Sequence, residues 1–111
     1  MEITTEQFKR VDVVKASGRI DSSTAPQLAE VLKQLTDGRR FRIVFDMSEV
    51  EFLSSAGLRV LLDTQRTCRQ YKRGDLVLAT PAEGIKRTLE LAGFNTLFNV
   101  YDTLLDAVGS V

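Results

Sequence analysis

Histidine is absent from the sequence, and so is tryptophan. Without histidine there can be no Ser-His-Asp hydrolase, no Cys-His protease and no His-ligated metal site. A single cysteine, Cys68, excludes an intramolecular disulfide and fits a reducing compartment. Charge of either sign is not in excess, since 15 basic residues balance 15 acidic ones. That balance argues against a nucleic-acid footprint, which needs clustered positive charge. The densest basic spots, Arg39-Arg40 and Arg69 with Lys72-Arg73, flank turn glycines and read as solvated helix ends. Long apolar runs are missing too. The longest, such as Val60 to Leu62, fall far short of a membrane span, and the opening MEITTEQFKR has no apolar signal core. A cytoplasmic protein without a membrane span is the expectation.

What is present suits one folded domain. The chain has 111 residues, enough for a single layered core over residues 1–111 and too few for two. Apolar residues make up 43% and charged residues 27%, so a packed core is expected rather than disorder.

The periodicities give an order of elements. Ile3 to Phe8 and Val11 to Ala16 read as two strands joined by Lys9-Arg10, an antiparallel hairpin. A loop from Gly18 to Thr24 leads into a helix over about 25–36. Its apolar stripe is Leu28, Val31, Leu32 and Leu35, with Pro26 in its first turn and Gly38 as its stop. Phe41 to Phe45 reads as a central strand, Met47 to Ser54 as a loop, and residues 55–71 as a second helix ended by Gly74. Leu58, Leu61, Leu62 and Cys68 form that helix's inner face. Leu76 to Ala79 is a third buried strand, 82–91 a helix closed by Gly93, and Leu97 to Val100 a short last strand. Asp102 then caps a final helix that packs Leu104, Leu105 and Val108 inward. The order ββαβαβαβα predicts an α/β fold with about four helices on a mixed, mostly parallel sheet.

In such sheets functional groups gather at the carboxyl ends of strands, which directs attention to Asp46 through Ser55. Val50, Phe52 and Leu53 are expected to fold onto the core. That leaves Ser54 and Ser55 at a helix N-terminus, where free N–H groups and the positive end of the helix dipole favour anions. Serine at a helix start is usually only an N-cap, and by local pattern the cap is the commoner reading. Asp21 and Thr24 read equally as caps of the first helix, and Asp46 as a turn residue holding the N–H groups that follow it.

Three stretches together resemble the STAS domain, the fold of sulfate transporters and anti-sigma factor antagonists. They are Asp46-Met-Ser48 followed by Phe52-Leu-Ser54-Ser55-Ala56-Gly57-Leu58, the earlier Gly18-Arg-Ile-Asp21-Ser22-Ser-Thr24-Ala25, and the tail Gly93-Phe-Asn-Thr-Leu-Phe98-Asn-Val-Tyr101-Asp102. The resemblance covers nearly the whole chain, in order. It implies a stand-alone anti-sigma factor antagonist with no catalytic residue, cofactor or metal of its own. The unmodified form would bind an anti-sigma factor that is also an ATP-dependent serine kinase. Phosphorylation would break the complex, and a PP2C-type serine phosphatase would restore it. The family's phosphorylated serine falls on Ser55. Members that are phosphorylated often carry Asp just before it. Ser54 stands there in this chain, and Ala56 follows where Ser is common, which makes Ser54 a second candidate. The resemblance also implies a partner-facing surface of Asp21, Ser22, Thr24, Asp46, Ser48, Ser54, Ala56 and Gly57.

Three other readings compete with this one. An esterase elbow lacks its first glycine, because Leu53 occupies that position. A phospho-aspartate receiver would use Asp46, but it needs an early acidic pair for magnesium where Val13-Val14 and Ser17-Gly18 stand, and a lysine where Thr80 precedes Pro81. A STAS-like docking subunit of a transport or signalling assembly, never phosphorylated, keeps the fold and drops the switch.

Overall fold

The computed structural model describes all of residues 1–111. The expected hairpin forms first: β1 (Glu2–Gln7) runs antiparallel to β2 (Asp12–Ile20). β1 is almost wholly exposed and carries Glu, Thr and Gln, a polar composition that discourages pairing of a free edge with another chain. Next come α1 (Ala25–Asp37), β3 (Arg42–Leu53), α2 (Ser55–Arg69), β4 (Asp75–Ala79) and α3 (Glu83–Leu91). A 3-10 turn (Phe94–Thr96), β5 (Val100–Tyr101) and α4 (Leu104–Ser110) complete the chain.

The five strands lie in sequence order, β1-β2-β3-β4-β5, with every pairing after the hairpin parallel. Because right-handed crossovers that always step the same way fall on one face, α1, α2 and α3 share a face and α4 alone covers the other. The two cores follow this division. Nineteen buried residues, including Val14, Leu28, Leu32, Phe45, Leu61, Leu78 and Leu89, fill the three-helix side. Six, namely Val11, Val13, Val44, Val77, Ala79 and Ala107, fill the α4 side.

Several expected boundaries move. Met47 to Ser54 is not a loop: β3 continues to Leu53, and β2 continues to Ile20 beside it, the last pair being Ile20 with Leu53. Irregularities in the register between Lys15 and Ser17 and between Gly18 and Arg19 break the alternation a strand should show, which hid the extension. One result is that Phe52 points outward, 38% exposed, while Val50 and Leu53 are buried as expected. The last strand starts later, at Val100. The final helix is capped by Thr103, whose hydroxyl accepts from the Asp106 N–H at 3.1 Å, rather than by Asp102. Leu105 is exposed and Ala107 takes the inward position.

Candidate functional site

The pairing of Ile20 with Leu53 brings two chain segments side by side at the carboxyl end of the sheet. Asp21 opens the loop after β2, and Ser54 opens α2 after β3. The Ser54 N–H donates to the Ile20 carbonyl at 2.9 Å and ties the two together.

The first loop is closed by its own side chains. Asp21 Oδ1 accepts from the Ser23 hydroxyl at 2.7 Å, the Ser23 N–H at 3.0 Å and the Thr24 N–H at 3.2 Å. Thr24 Oγ1 accepts from the Asp21 N–H at 2.9 Å and donates to the Arg19 carbonyl at 2.8 Å. Thr24 stands at the N-cap of α1 without capping through its side chain; its hydroxyl holds the loop instead. The Ser23 hydroxyl, with the Ser23 and Thr24 N–H groups, holds the Asp21 carboxyl below its ordinary pKa, so it is ionised at neutral pH. Ser22 is exposed on this loop.

At the start of α2 the two adjacent serines divide their roles. Ser54 has extended backbone, is half-buried, and its hydroxyl accepts from the Gly57 N–H at 3.4 Å as an N-cap. Ser55 is the first helical residue and is exposed. The first turn carries no acidic side chain, and exposed Arg59 stands four residues on, on the face of Ser55. Ala56 is half-buried. Gly57 is buried, and a Cβ there would lie 2.6 Å from Leu53 Cδ1 and 2.7 Å from Ile20 Cγ2. The small residue lets α2 seat directly on the ends of β2 and β3. Beside this surface the Arg19 guanidinium stacks over the Phe52 ring, 4.2 Å from its centroid.

Asp46 lies elsewhere. It sits opposite Ala79, seven residues before Leu53, which at ~3.3 Å per residue is roughly 20 Å back along the strand. It is 6% exposed, and its Oδ1 accepts from the Thr80 hydroxyl at 2.8 Å and the Ser48 N–H at 3.0 Å. Burial pushes its carboxyl up. The bonds from Ser48 and Thr80, with the charge of Lys15, outweigh that and leave its pKa below the usual value. Asp21, Ser22, Thr24, Ser54, Ser55 and Ala56 are therefore gathered at one end, whereas exposed Ser48 stands apart with Asp46. Two residues expected on a partner-facing surface are corrected. Asp46 and Gly57 are buried and can act on that surface only by shaping it.

Four residues here have roles that the sequence does not announce. Thr80 has a positive φ of 55°, unusual for a β-branched residue, and is held by Asp46 and by donating its N–H to the Tyr101 carbonyl at 2.8 Å. The residue before a proline is expected to be extended, so nothing local announced it. Phe52, expected to fold onto the core, lies outside it under the Arg19 guanidinium. Gln65, 3% exposed on α2, accepts from the Leu76 N–H at 2.8 Å and donates to the Leu76 and Leu97 carbonyls, both at 3.1 Å. Its position four residues after Leu61, in line with the buried stripe, was the available signal.

A sheet wound in sequence order, with three helices on one face and an exposed serine at the helix start beside a hydrogen-bonded loop, defines a small single-domain α/β module. Residues 2–107 match the STAS domain, and the chain belongs to that family. It is 30% identical to the anti-sigma-F factor antagonist RsfB of Mycobacterium tuberculosis, over 98% of this chain and 88% of RsfB. The crystal structure of an anti-sigma factor antagonist from Mycobacterium paratuberculosis superposes with a TM-score of 0.90 at 32% identity, covering 99% of this chain and 92% of that one. The Bacillus cell fate determinant SpoIIAA in its phosphorylated form shares the fold, with a TM-score of 0.76 at 17% identity over 98% of each chain.

Proposed function

We propose that this chain is an anti-sigma factor antagonist of the partner-switching kind. Its unmodified form binds an anti-sigma factor that is also a serine kinase, through the surface formed by Asp21, Ser22, Thr24, Ser54, Ser55 and Ala56. Phosphorylation of Ser55 ends the complex, and a PP2C-type phosphatase restores it, with ATP and magnesium held by the kinase. The chain itself binds and performs no catalysis, and it works in the cytoplasm, where its partners would be. The similarity to RsfB and to the Mycobacterium paratuberculosis antagonist supports the function.

The observation that carries the choice of serine is the contrast at the start of α2. The Ser54 hydroxyl is engaged with Gly57, whereas Ser55 is exposed. A phosphate on Ser55 meets the free N–H groups and positive dipole end of α2, with Arg59 one turn away. The helix therefore tolerates the modification. The contact surface does not, because it gains about −1.5 to −2 charges at its centre. Disruption thus comes from the partner's side, without unfolding.

Incubation with ATP, magnesium and a lysate of the source organism, followed by intact-mass analysis and peptide mapping, tests this. One added phosphate on Ser55, absent from Ser55→Ala, is expected. Ser55→Asp should lose kinase binding, and Ser55→Ala should bind and resist release. Wild-type affinity in Ser55→Asp would overturn the switch.

A further inference from the structure

The amino end of the parallel strands carries a feature the sequence scatters. Three turns meet there: Phe8 to Val11 between β1 and β2, Gly38 to Phe41 before β3, and Gln70 to Gly74 before β4. They place Lys9 and Arg10, Arg39 and Arg42, and Lys72 and Arg73 around two hollows that share Arg10, Arg42 and Gly74. With Arg40 and Arg69, eight of the chain's fifteen basic side chains line these hollows, against two carboxylates, Asp12 and Asp75. A chain of zero net charge is thus divided into a pole carrying six net positive charges and a remainder carrying six net negative ones. Asp12 pairs with Arg40 and Asp75 with Arg69, which leaves the other six cations without a salt bridge.

Two further observations bear on what the pole meets. Arg39 and Arg73 have left-handed backbone, with φ of 62° and 64°, although a glycine stands next to each that would adopt it freely. The sequence keeps arginine where backbone preference favours glycine. In addition, an exposed aromatic precedes the basic pair in two of the turns, Phe8 before Lys9-Arg10 and Tyr71 before Lys72-Arg73. Each hollow has only one apolar lining residue, Phe41 in one and Val111 in the other. A folded protein partner would find no buried anchor pocket there. A surface of dispersed negative charge with an apolar layer beneath it needs none, and it suits cations flanked by exposed aromatic rings.

We propose that this pole docks the chain reversibly on an anionic phospholipid surface. The Ser55 end lies at the far end of β2, which is nine residues long, so it would face away from the lipid and stay open to a partner. The charge division would set that orientation during approach.

Co-sedimentation of the unmodified protein with phosphatidylcholine vesicles, with and without one-third phosphatidylglycerol, tests the proposal at low and high salt. Binding to the anionic vesicles should exceed binding to neutral ones by roughly tenfold or more and collapse at high salt, where screening shortens to ~3 Å at 1 M. Lys9→Glu with Lys72→Glu should abolish it, with circular dichroism confirming the fold. Lys86→Glu with Arg87→Glu on α3, the same charge change away from the pole, should retain it. Equal binding to neutral vesicles, or equal loss in both double variants, would overturn the proposal. So would binding of polyglutamate or a single-stranded oligonucleotide by a protein that ignores the vesicles.

Discussion

The two ends of the sheet are closed in different ways. Around the Asp21 loop and the two serines at the carboxyl end the side-chain hydrogen bonds are local, Asp21 with Ser23 and Thr24 and Ser54 with Gly57, partners two or three residues apart, and one backbone bond, from the Ser54 N–H to the Ile20 carbonyl, ties the two segments. At the amino end they join distant segments. Arg40 Nε donates to Asp12 Oδ2 at 2.7 Å across 28 residues, and Arg40 donates to the Phe8 carbonyl at 2.6 Å across 32. Gln65 reaches Leu76 and Leu97. A bond between near neighbours can rearrange while the sheet stays paired, whereas breaking a long-range one releases an element. Under the proposed switch, an end that accepts a phosphate and exchanges partners would be suited by local bonds, and the opposite end would carry global stability.

Substitutions matched between the ends test that contrast. The largest effect is expected from Gly74→Ala. Its Cβ would come within 1.9 Å of the Cys68 carbonyl oxygen, a backbone atom at the end of α2 that cannot turn aside. A loss of about 3 kcal/mol is expected, at the upper end of the cost of overpacking. Gly57→Ala meets only the Leu53 and Ile20 methyls, and the better helix propensity of alanine returns about 1 kcal/mol, so its net loss should be about 1 kcal/mol. Urea midpoints of the two variants would decide. Equal losses would mean that the amino end is no more rigid than the other.

Next comes Arg40→Met against Thr24→Val. Asp12 is 1% exposed and its Oδ1 has no hydrogen-bond partner, so Arg40 supplies its one salt bridge. Removing Arg40 leaves that carboxylate buried and uncompensated, and frees the carbonyl of Phe8. Because a quarter of the arginine side chain is exposed, the loss should be about 2 kcal/mol, below the range for fully buried pairs. Thr24→Val removes local bonds on a half-exposed loop and should cost about 1 kcal/mol. Thermal melts compare them, and a Thr24→Val loss exceeding that of Arg40→Met would reverse the assignment of the two ends.

How much of this was legible depended on the range of the interaction. Helix stripes are short-range, and Leu28 and Leu32 are buried as their spacing requires. The serine pair at a helix start and the Asp21 to Thr24 loop are local patterns, so the candidate site is legible before any fold. The far half of β3 could not, because register irregularities opposite it disturbed the alternation, and Phe52 was assigned inward as a result. Gln65 and Thr80 owe their roles to strands 11 and 34 residues away. The basic pole is the extreme case. Its turns are about thirty residues apart and look like one hairpin turn and two ordinary helix ends until the sheet order brings them together. Gly38 caps the end of α1 as expected, but the left-handed turn falls on Arg39 after it, and α2 ends before the expected stop, at Arg69 with Gln70 as its C-cap, the left-handed residue there being Arg73 rather than Gly74.

The smallest expected effect separates two neighbours within the carboxyl end. Ser54→Ala removes an N-cap, ordinarily worth ~1 kcal/mol, but at 3.4 Å this bond is long, so about 0.5 kcal/mol is expected. Ser55→Ala removes an exposed hydroxyl at a position where alanine is a good helix former, and its melting temperature should match that of the wild type. In a phosphorylation assay the order reverses. Ser54→Ala should still take up phosphate, and Ser55→Ala should not. Because one serine then affects stability and the other modification, neither result can be attributed to general damage at the helix start. Phosphate uptake lost in Ser54→Ala and kept in Ser55→Ala would move the switch to the capping serine. The phosphate would then stand at the N-cap itself, where the helix N-terminus accommodates it, and the switch would still work by charging the surface, from the half-buried serine beside the Asp21 loop.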